Sequence, residues 1–226
     1  MIISCQNIFK TYKSQEKPVL NNVSLQLARG SFSAIVGRSG CGKSTLLKIL
    51  CSLLPPDSGN VSVLGKDILL LNAKEKSQFL STDVGIVFQD NNLVDDFTIE
   101  ENILTPSYIA GKSVDKDYFL ELVKLAEMQE HLKKYPSQLS GGQRQKAAVI
   151  RAFILKPQIV FADEPTGSVD SVSEKQIMDM FLNFNKNFNT TIVMVTHSKN
   201  CMSVASEVIS LKEGTIETRE KFAGEM

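Results

Sequence analysis

Residues 35 to 50 read IVGRSGCGKSTLLKIL, an apolar run and an apolar helical pattern separated by three glycines and a lysine with two hydroxyls behind it. Positions 37 to 44 spell G-x-x-x-x-G-K-S, the phosphate-binding loop pattern. Gly37, Gly40 and Gly42 permit backbone angles closed to most residues. The backbone amides of Gly37, Arg38, Ser39, Gly40, Cys41 and Gly42, with the free amides of the helix they open, make a positive hollow suited to phosphate oxygens. Lys43 is expected to reach the β- and γ-phosphates, Ser44 to offer its hydroxyl to Mg²⁺, and Thr45 to hydrogen-bond a phosphate. The bland alternative is a glycine-rich turn with a chance Lys-Ser. A strand before and a helix after weigh against it.

A phosphate loop also needs an acid that organises the metal, usually at the end of a buried strand. QIVFADEPTGSVD, residues 158 to 170, supplies one. Asp163 closes the apolar run and is placed to hold Mg²⁺ through its waters. Glu164 follows, placed to polarise the water that attacks the γ-phosphate. By themselves the two acids would read as a strand cap or a solvated pair; beside the loop they read as machinery.

These side chains need a frame. Short apolar runs suited to strands recur at 23–27, 32–36, 84–88, 159–163, 191–196 and 207–211. Those at 32–36, 159–163 and 191–196 are almost wholly apolar, as strands buried on both faces of a parallel sheet must be. Helical patterns lie at about 43–53, 115–127, 142–155 and 173–187, and the alternation predicts an α/β layered fold. Glycine-containing turns at 28–30 and 212–214 suggest that antiparallel strand pairs are present too. From about 90 to 155 the strand signal gives way to a helical insert. The 226 residues suffice for one sizeable core, so residues 1–226 are read as a single domain.

The totals exclude several classes. With 25 basic and 25 acidic residues, nothing argues for a surface that binds nucleic acid. Cys5, Cys41, Cys51 and Cys201 are scattered, which suits a reduced, cytoplasmic protein with neither a zinc site nor a disulfide frame. The opening MIISCQNIFKTYK does not read as a secretion signal, and no run approaches 18 apolar residues.

LSGGQ at 139–143, taken with GRSGCGKS, Gln89, IVFADE and His197, resembles the ATP-binding cassette family of ATPases in motif order and spacing, from Tyr12 to about Gly214. NVSLQLARGSFSAIVGRSGCGKSTLLKIL, ADEPTGSVD and TTIVMVTHS are most similar to cassettes of the macrolide-exporter, lipoprotein-release and cell-division type. The resemblance implies an ABC-ATPase fold of the P-loop NTPase class, with a mixed β-sheet core, an antiparallel β subdomain and a helical insert. It implies ATP and Mg²⁺ as cofactors. Tyr12 takes the place of the aromatic that stacks on adenine, or is an ordinary half-buried tyrosine. Gln89 matches the glutamine that contacts Mg²⁺ and the attacking water, and His197 the histidine that contacts the γ-phosphate. Asp170 matches the aspartate of the loop linking two active sites. His131 reads as structural.

In the resemblance, Ser140, Gly141, Gly142 and Gln143 open a helix and form a second anion cradle. What that cradle binds is the γ-phosphate of ATP on a second cassette, so a head-to-tail homodimer with two sandwiched ATP molecules is implied. Arg38 and Cys41 replace commoner small or proline residues, Lys146 stands where arginine is usual, and Val169 replaces a leucine; none removes a catalytic group. Cys41, beside helix amides and Lys43, is either a reactive thiol that nucleotide covers or an inert small residue.

A separate integral membrane permease is the implied partner, holding the cassette on the inner face of the cell membrane. The acidic stretch QDNNLVDDFTIEEN at 89–102 suits a basic loop of that subunit, or is a solvated charge run. The leading function is the ATPase subunit of an exporter or extractor. The alternatives are a signalling cassette that drives a membrane protein without transport, and a soluble cassette of repair or assembly, whose usual insertions this sequence lacks.

Overall fold

The computed structural model describes residues 1–14 and 16–222. In chain order its strands are β1 (Ile3–Lys10), β2 (Leu20–Leu27), β3 (Phe32–Val36), β4 (Ser58–Val63), β5 (Lys66–Asp67), β6 (Val84–Val87), β7 (Ile159–Asp163), β8 (Thr191–Val195), β9 (Glu207–Lys212) and β10 (Thr215–Lys221). The helices are α1 (Lys43–Leu50), α2 (Ala73–Gln78), α3 (Ile99–Ala110), α4 (Lys116–Leu125), α5 (Gly141–Phe153), α6 (Ser171–Phe188) and α7 (Lys199–Val204).

The strands form two sheets, a mixed one ordered β10-β9-β3-β8-β7-β6 and an antiparallel one ordered β2-β1-β4-β5. In the mixed sheet β3, β6, β7, β8 and β9 run parallel and β10 turns back on β9. Both sheets are as the sequence implied. Every residue of β8 is buried, and four of five in β3 and β7, which is why those runs carry almost no polar side chains. Strand β2 instead alternates, with one face in the core and the other in water.

The two faces of the mixed sheet serve different cores. On β7, Ile159 and Phe161 join a core shared with α1 and the antiparallel sheet, while Val160 and Ala162 join a core shared with α3, α4, α5 and α6. Strand β8 divides in the same way, Val193 and Val195 to the first and Ile192 and Met194 to the second. Leu46, Leu47, Ile49 and Leu50 of α1 are fully buried in the first core, so the helix that follows the glycine-rich loop is held on both sides.

The turn at 28–30 does not join an antiparallel pair. It carries the chain from β2 in one sheet to β3 in the other, because both edges of β3 are already taken by β8 and β9. The turn at 212–214 does join antiparallel neighbours, β9 and β10.

Between β6 and β7 run α3, α4 and α5, and their ends are capped by side chains. Thr98 and Glu101 form a capping box on α3, Asp115 caps α4, and Ser140 with Gln143 forms a capping box on α5. Asn102, fully buried in α3, gives its amide to the carbonyls of Val94, Phe97 and Thr98 and accepts from Val94 N–H. That one side chain folds the acidic segment against the helix.

Candidate functional site

Strand β3 delivers the chain into the glycine-rich loop, and Lys43 begins α1. Gly37 and Gly42 have φ of +148° and +106°, and neither has room for a side chain. A Cβ at Gly37 would lie 2.2 Å from Leu211 O, and one at Gly42 2.5 Å from Val19 O. The loop is thus wedged against β9 and the chain before β2. Arg38, Ser39 and Gly40 are exposed, and Cys41 is half-buried.

Lys43 is buried; its ammonium donates to Gly37 O at 3.0 Å and to Arg38 O at 3.2 Å, and lies 3.1 Å from His197 Nε2. Ser44 Oγ donates to Asp163 Oδ1 at 2.8 Å, so the second residue of α1 and the last of β7 meet. Thr45 Oγ1 lies 3.2 Å from the hydroxyl of half-buried Tyr12.

Glu164 follows β7 in a left-handed conformation, φ +46°, which costs a residue with a Cβ about 1–2 kcal/mol. Its backbone N–H donates to Val195 O at 2.9 Å, so β8 holds it in that pose. Its Oε1 lies 3.1 Å from His197 Nε2, which therefore stands between the Glu164 carboxylate and the Lys43 ammonium. Gln89 enters from the end of β6. A Cβ at Gly167 would lie 3.4 Å from Gln89 Nε2 and 3.6 Å from Glu164 Oε2, so both side chains border that glycine. Eight chemically apt residues from distant parts of the chain, Tyr12, Lys43, Ser44, Thr45, Gln89, Asp163, Glu164 and His197, thus gather at one corner.

Ser140, Gly141, Gly142 and Gln143 lie elsewhere. Ser140 Oγ accepts from Gln143 N–H at 3.2 Å while Ser140 N–H donates to Gln143 Oε1 at 2.9 Å. Among the described residues no hydrogen bond joins this turn to residues 37–45. Asp170 caps α6, accepting from Val172 N–H, Ser173 N–H and Ser173 Oγ. Those bonds, the Ser173 N–H first, hold its carboxyl below the usual aspartate range.

Two residues that sequence patterns did not single out bracket Gln89. Gln145 Nε2 donates to Phe88 O at 3.0 Å, and Arg151 donates to Asn91 O at 2.6 Å and Asn92 O at 2.7 Å. Both come from α5, so the helix opened by Ser140 grips the chain on each side of Gln89. A buried glutamine within an apolar helical pattern was the only signal, and burial is invisible without the fold.

The oxygens that converge at Ser44 and Asp163 suit a hard cation such as Mg²⁺, which takes few protein ligands and completes its shell with water and phosphate. No cluster of three or more His, Cys, Asp or Glu that could enclose a metal occurs among the described residues.

The family model described as ABC transporter matches residues 20–167. The bacitracin export ATP-binding protein BceA of Halalkalibacterium halodurans is 39% identical over 223 residues, covering 96% of this chain and 88% of its own. The lipoprotein-releasing system ATP-binding protein LolD 1 of Rhodopirellula baltica is 38% identical over 220 residues, covering 94% and 95%. Among solved structures, a dimeric post-hydrolysis state of the ATP-binding cassette MJ0796 bound to ADP and Pi superposes with a TM-score of 0.89 at 34% identity, over 98% of this chain and 99% of that one.

Proposed function

The chain belongs to the ABC transporter family as an ATP-binding subunit with ATPase activity, and from that premise we propose that it works as a head-to-tail dimer that powers a separate membrane permease. The observation that carries this reading is the division of the anion-binding groups. One set surrounds Lys43 and the other surrounds Ser140, with no hydrogen bond between them among the described residues of one chain. Two copies facing each other would bring each Ser140 turn onto the γ-phosphate held by its partner. The homologous cassette MJ0796 is itself dimeric.

In this reading residues 37–45 bind the phosphates and Tyr12 stacks on adenine. Ser44, Asp163 and Gln89 hold Mg²⁺, which when bound neutralises charge that builds on the phosphate oxygens. Glu164 accepts or orients the proton of the attacking water, and its left-handed backbone aims the carboxylate toward His197 and Gln89. His197 and Lys43 stabilise the charge on the γ-phosphate, and Ser140, Gly141, Gly142 and Gln143 of the second copy donate from the far side. Asp170 sits at the start of α6 where the copies would meet. Bound ATP favours the closed pair by its extra contacts there, and hydrolysis removes them.

Residues 1–226 are read as one nucleotide-binding domain in which α3, α4 and α5 form a helical subdomain at about 90–155. No helix among the described residues is long and apolar enough to cross a membrane, so attachment to the inner face of the membrane is assigned to the permease. The docking segment is the acidic stretch 89–102, which runs into the first turn of α3 and where Val94 and Phe97 are 43% and 41% exposed among Asp90, Asp95, Asp96, Glu100 and Glu101. Export or extraction is the favoured task, in line with the names of the relatives.

The decisive experiment is Glu164→Gln. The variant should bind ATP, hydrolyse it at a small fraction of the parental rate, and run as a dimer on size exclusion in MgATP. Hydrolysis at near the parental rate would remove Glu164 from its role, and a monomer in MgATP would remove the sandwich.

A further inference from the structure

His131 lies between the Ser140–Gln143 turn and the segment that holds the start of α3. It ends the short 3-10 turn Gln129–His131. Because Ser140 N–H donates to Gln143 Oε1, the Gln143 amide must turn its NH₂ group the other way. That nitrogen lies 3.1 Å from His131 Nε2. On the far side of the ring the Lys134 ammonium lies 3.1 Å from His131 Nδ1. Both neighbours are donors, and a neutral imidazole has one unprotonated nitrogen. Gln143 and Lys134 therefore compete for a single lone pair.

Each outcome has a structural consequence. With the proton on Nδ1, Nε2 accepts from Gln143, the amide stays oriented and the capping box of α5 is complete. With the proton on Nε2, the ring accepts from Lys134 and faces the Gln143 NH₂ with an N–H. The amide must then rotate, and Ser140 N–H loses its acceptor. Residues 131–134 also hold the start of α3, since Ile99 N–H donates to Lys134 O at 2.8 Å and Glu100 N–H to Leu132 O at 2.9 Å. Directly before Ile99 comes the exposed acidic segment.

We infer that His131 is a positioning residue for the Ser140–Gln143 turn, and that the tautomer of its ring ties that turn to the docking segment at the start of α3. The inference rests on the reading of that turn as the cradle for a partner's γ-phosphate. His131 itself touches neither nucleotide nor reacting atoms.

Three substitutions test it in the full chain. His131→Gln keeps an acceptor within reach of Gln143, His131→Phe keeps a ring without nitrogens, and Lys134→Met removes the rival donor. In the Glu164→Gln background, His131→Phe should raise the MgATP concentration needed for half-maximal dimerisation about five-fold. ATP affinity of the dilute monomer, set by residues 37–45, should shift less than about two-fold. His131→Gln should recover most of the loss, and Lys134→Met should dimerise at least as readily as the parent. A His131→Phe chain that dimerises like the parent, a His131→Gln chain that falls as far as His131→Phe, or a Lys134→Met chain that falls with them overturns the inference.

Imidazole ¹⁵N shifts give a readout free of nucleotide, and with two histidines in the chain one variant assigns them. Lys134→Met should move the His131 ring toward the form protonated on Nδ1; unchanged shifts overturn the inference. A Glu164→Gln parent that stays monomeric in MgATP overturns the sandwich reading instead, and the nitrogen shifts then still decide whether the ring holds Gln143.

Discussion

Ser173 Oγ occupies the space that a side chain at Gly142 would need: a Cβ built there would lie 2.2 Å from it and 2.6 Å from Ser173 Cβ. The same hydroxyl donates to Asp170 Oδ2 at 2.7 Å, so the first turn of α6 fits into the first turn of α5. Gly142→Ala should destabilise the chain by about 1–3 kcal/mol through overpacking, and ATPase activity should fall with it. Ser173→Gly alone should cost about 1 kcal/mol, the ordinary helical penalty. The double variant should recover at least about 1 kcal/mol relative to the sum of the singles, as expected for residues in contact. Urea melts of the four chains measure the coupling; strict additivity would deny the contact.

Lys43 separates binding from turnover. Its ammonium is buried, held by the carbonyls of Gly37 and Arg38 beside the His197 ring, poised where phosphate oxygens would arrive. Lys43→Ala should weaken ATP binding at least about ten-fold, the usual effect of losing a charge-assisted hydrogen bond. Glu164→Gln should leave affinity nearly intact. Equilibrium titration with a fluorescent ATP analogue distinguishes the two, and equal losses would collapse the distinction.

The four thiols differ in reach. Burial pushes Cys5 up to about 11 and both Cys51 and Cys201 up to about 12, while Cys41 is half-buried in the phosphate loop. An alkylating reagent near pH 8 should therefore modify Cys41 alone in the folded chain and all four after unfolding. Saturating MgATP should slow modification of Cys41. Mass spectrometry of digested samples reads both effects, and equal labelling with and without nucleotide would show that nucleotide leaves this thiol uncovered.

Three helix caps carry an acid sensitivity. Carboxyl pKa values are lowered at Glu101 by the Thr98 hydroxyl, at Asp115 by the Tyr118 N–H and at Asp170 by the Ser173 N–H. A folded pKa below the unfolded one means that the unfolded chain binds more protons in this window. Stability contributed by these caps is thus full above the ordinary carboxylate values of 3.8 and 4.5 and is lost as pH falls through the lower folded values. Asp115→Asn keeps a capping oxygen but has no such titration. Thermal melts between pH 6 and pH 3 should show a shallower acid decline for it than for the parent; parallel curves would assign the acid loss elsewhere.

The most legible parts of the fold were the strands with no solvent face. Those at 32–36, 159–163 and 191–196 appear as β3, β7 and β8 within a residue of their expected ends, because burial on both sides leaves a continuous apolar run. Strand β1 was not legible. Its register shifts between Cys5 and Ile8, where Asn7 takes φ +51°, and this irregularity breaks the alternation that would mark it. Strand β10 was signalled only by the glycine turn at 212–214, because nearly all of its residues face water and Thr-Ile-Glu-Thr-Arg-Glu-Lys carries no apolar pattern. At the corner around Lys43, the groups carried by short local patterns could be named in advance. The grip of Gln145 and Arg151 on residues 88–92 could not, since it joins positions about sixty apart that meet only after α5 packs against β6.

Strands β7 and β8 send alternate side chains to opposite sides, so the mixed sheet is a party wall between the α1 half and the α5–α6 half of the molecule. Neither half can come apart without stripping the other of its lining. Heating the chain should accordingly give one calorimetric peak rather than two, and weakening either side, with Phe161→Ala or with Met194→Ala, should lower that single peak instead of splitting it.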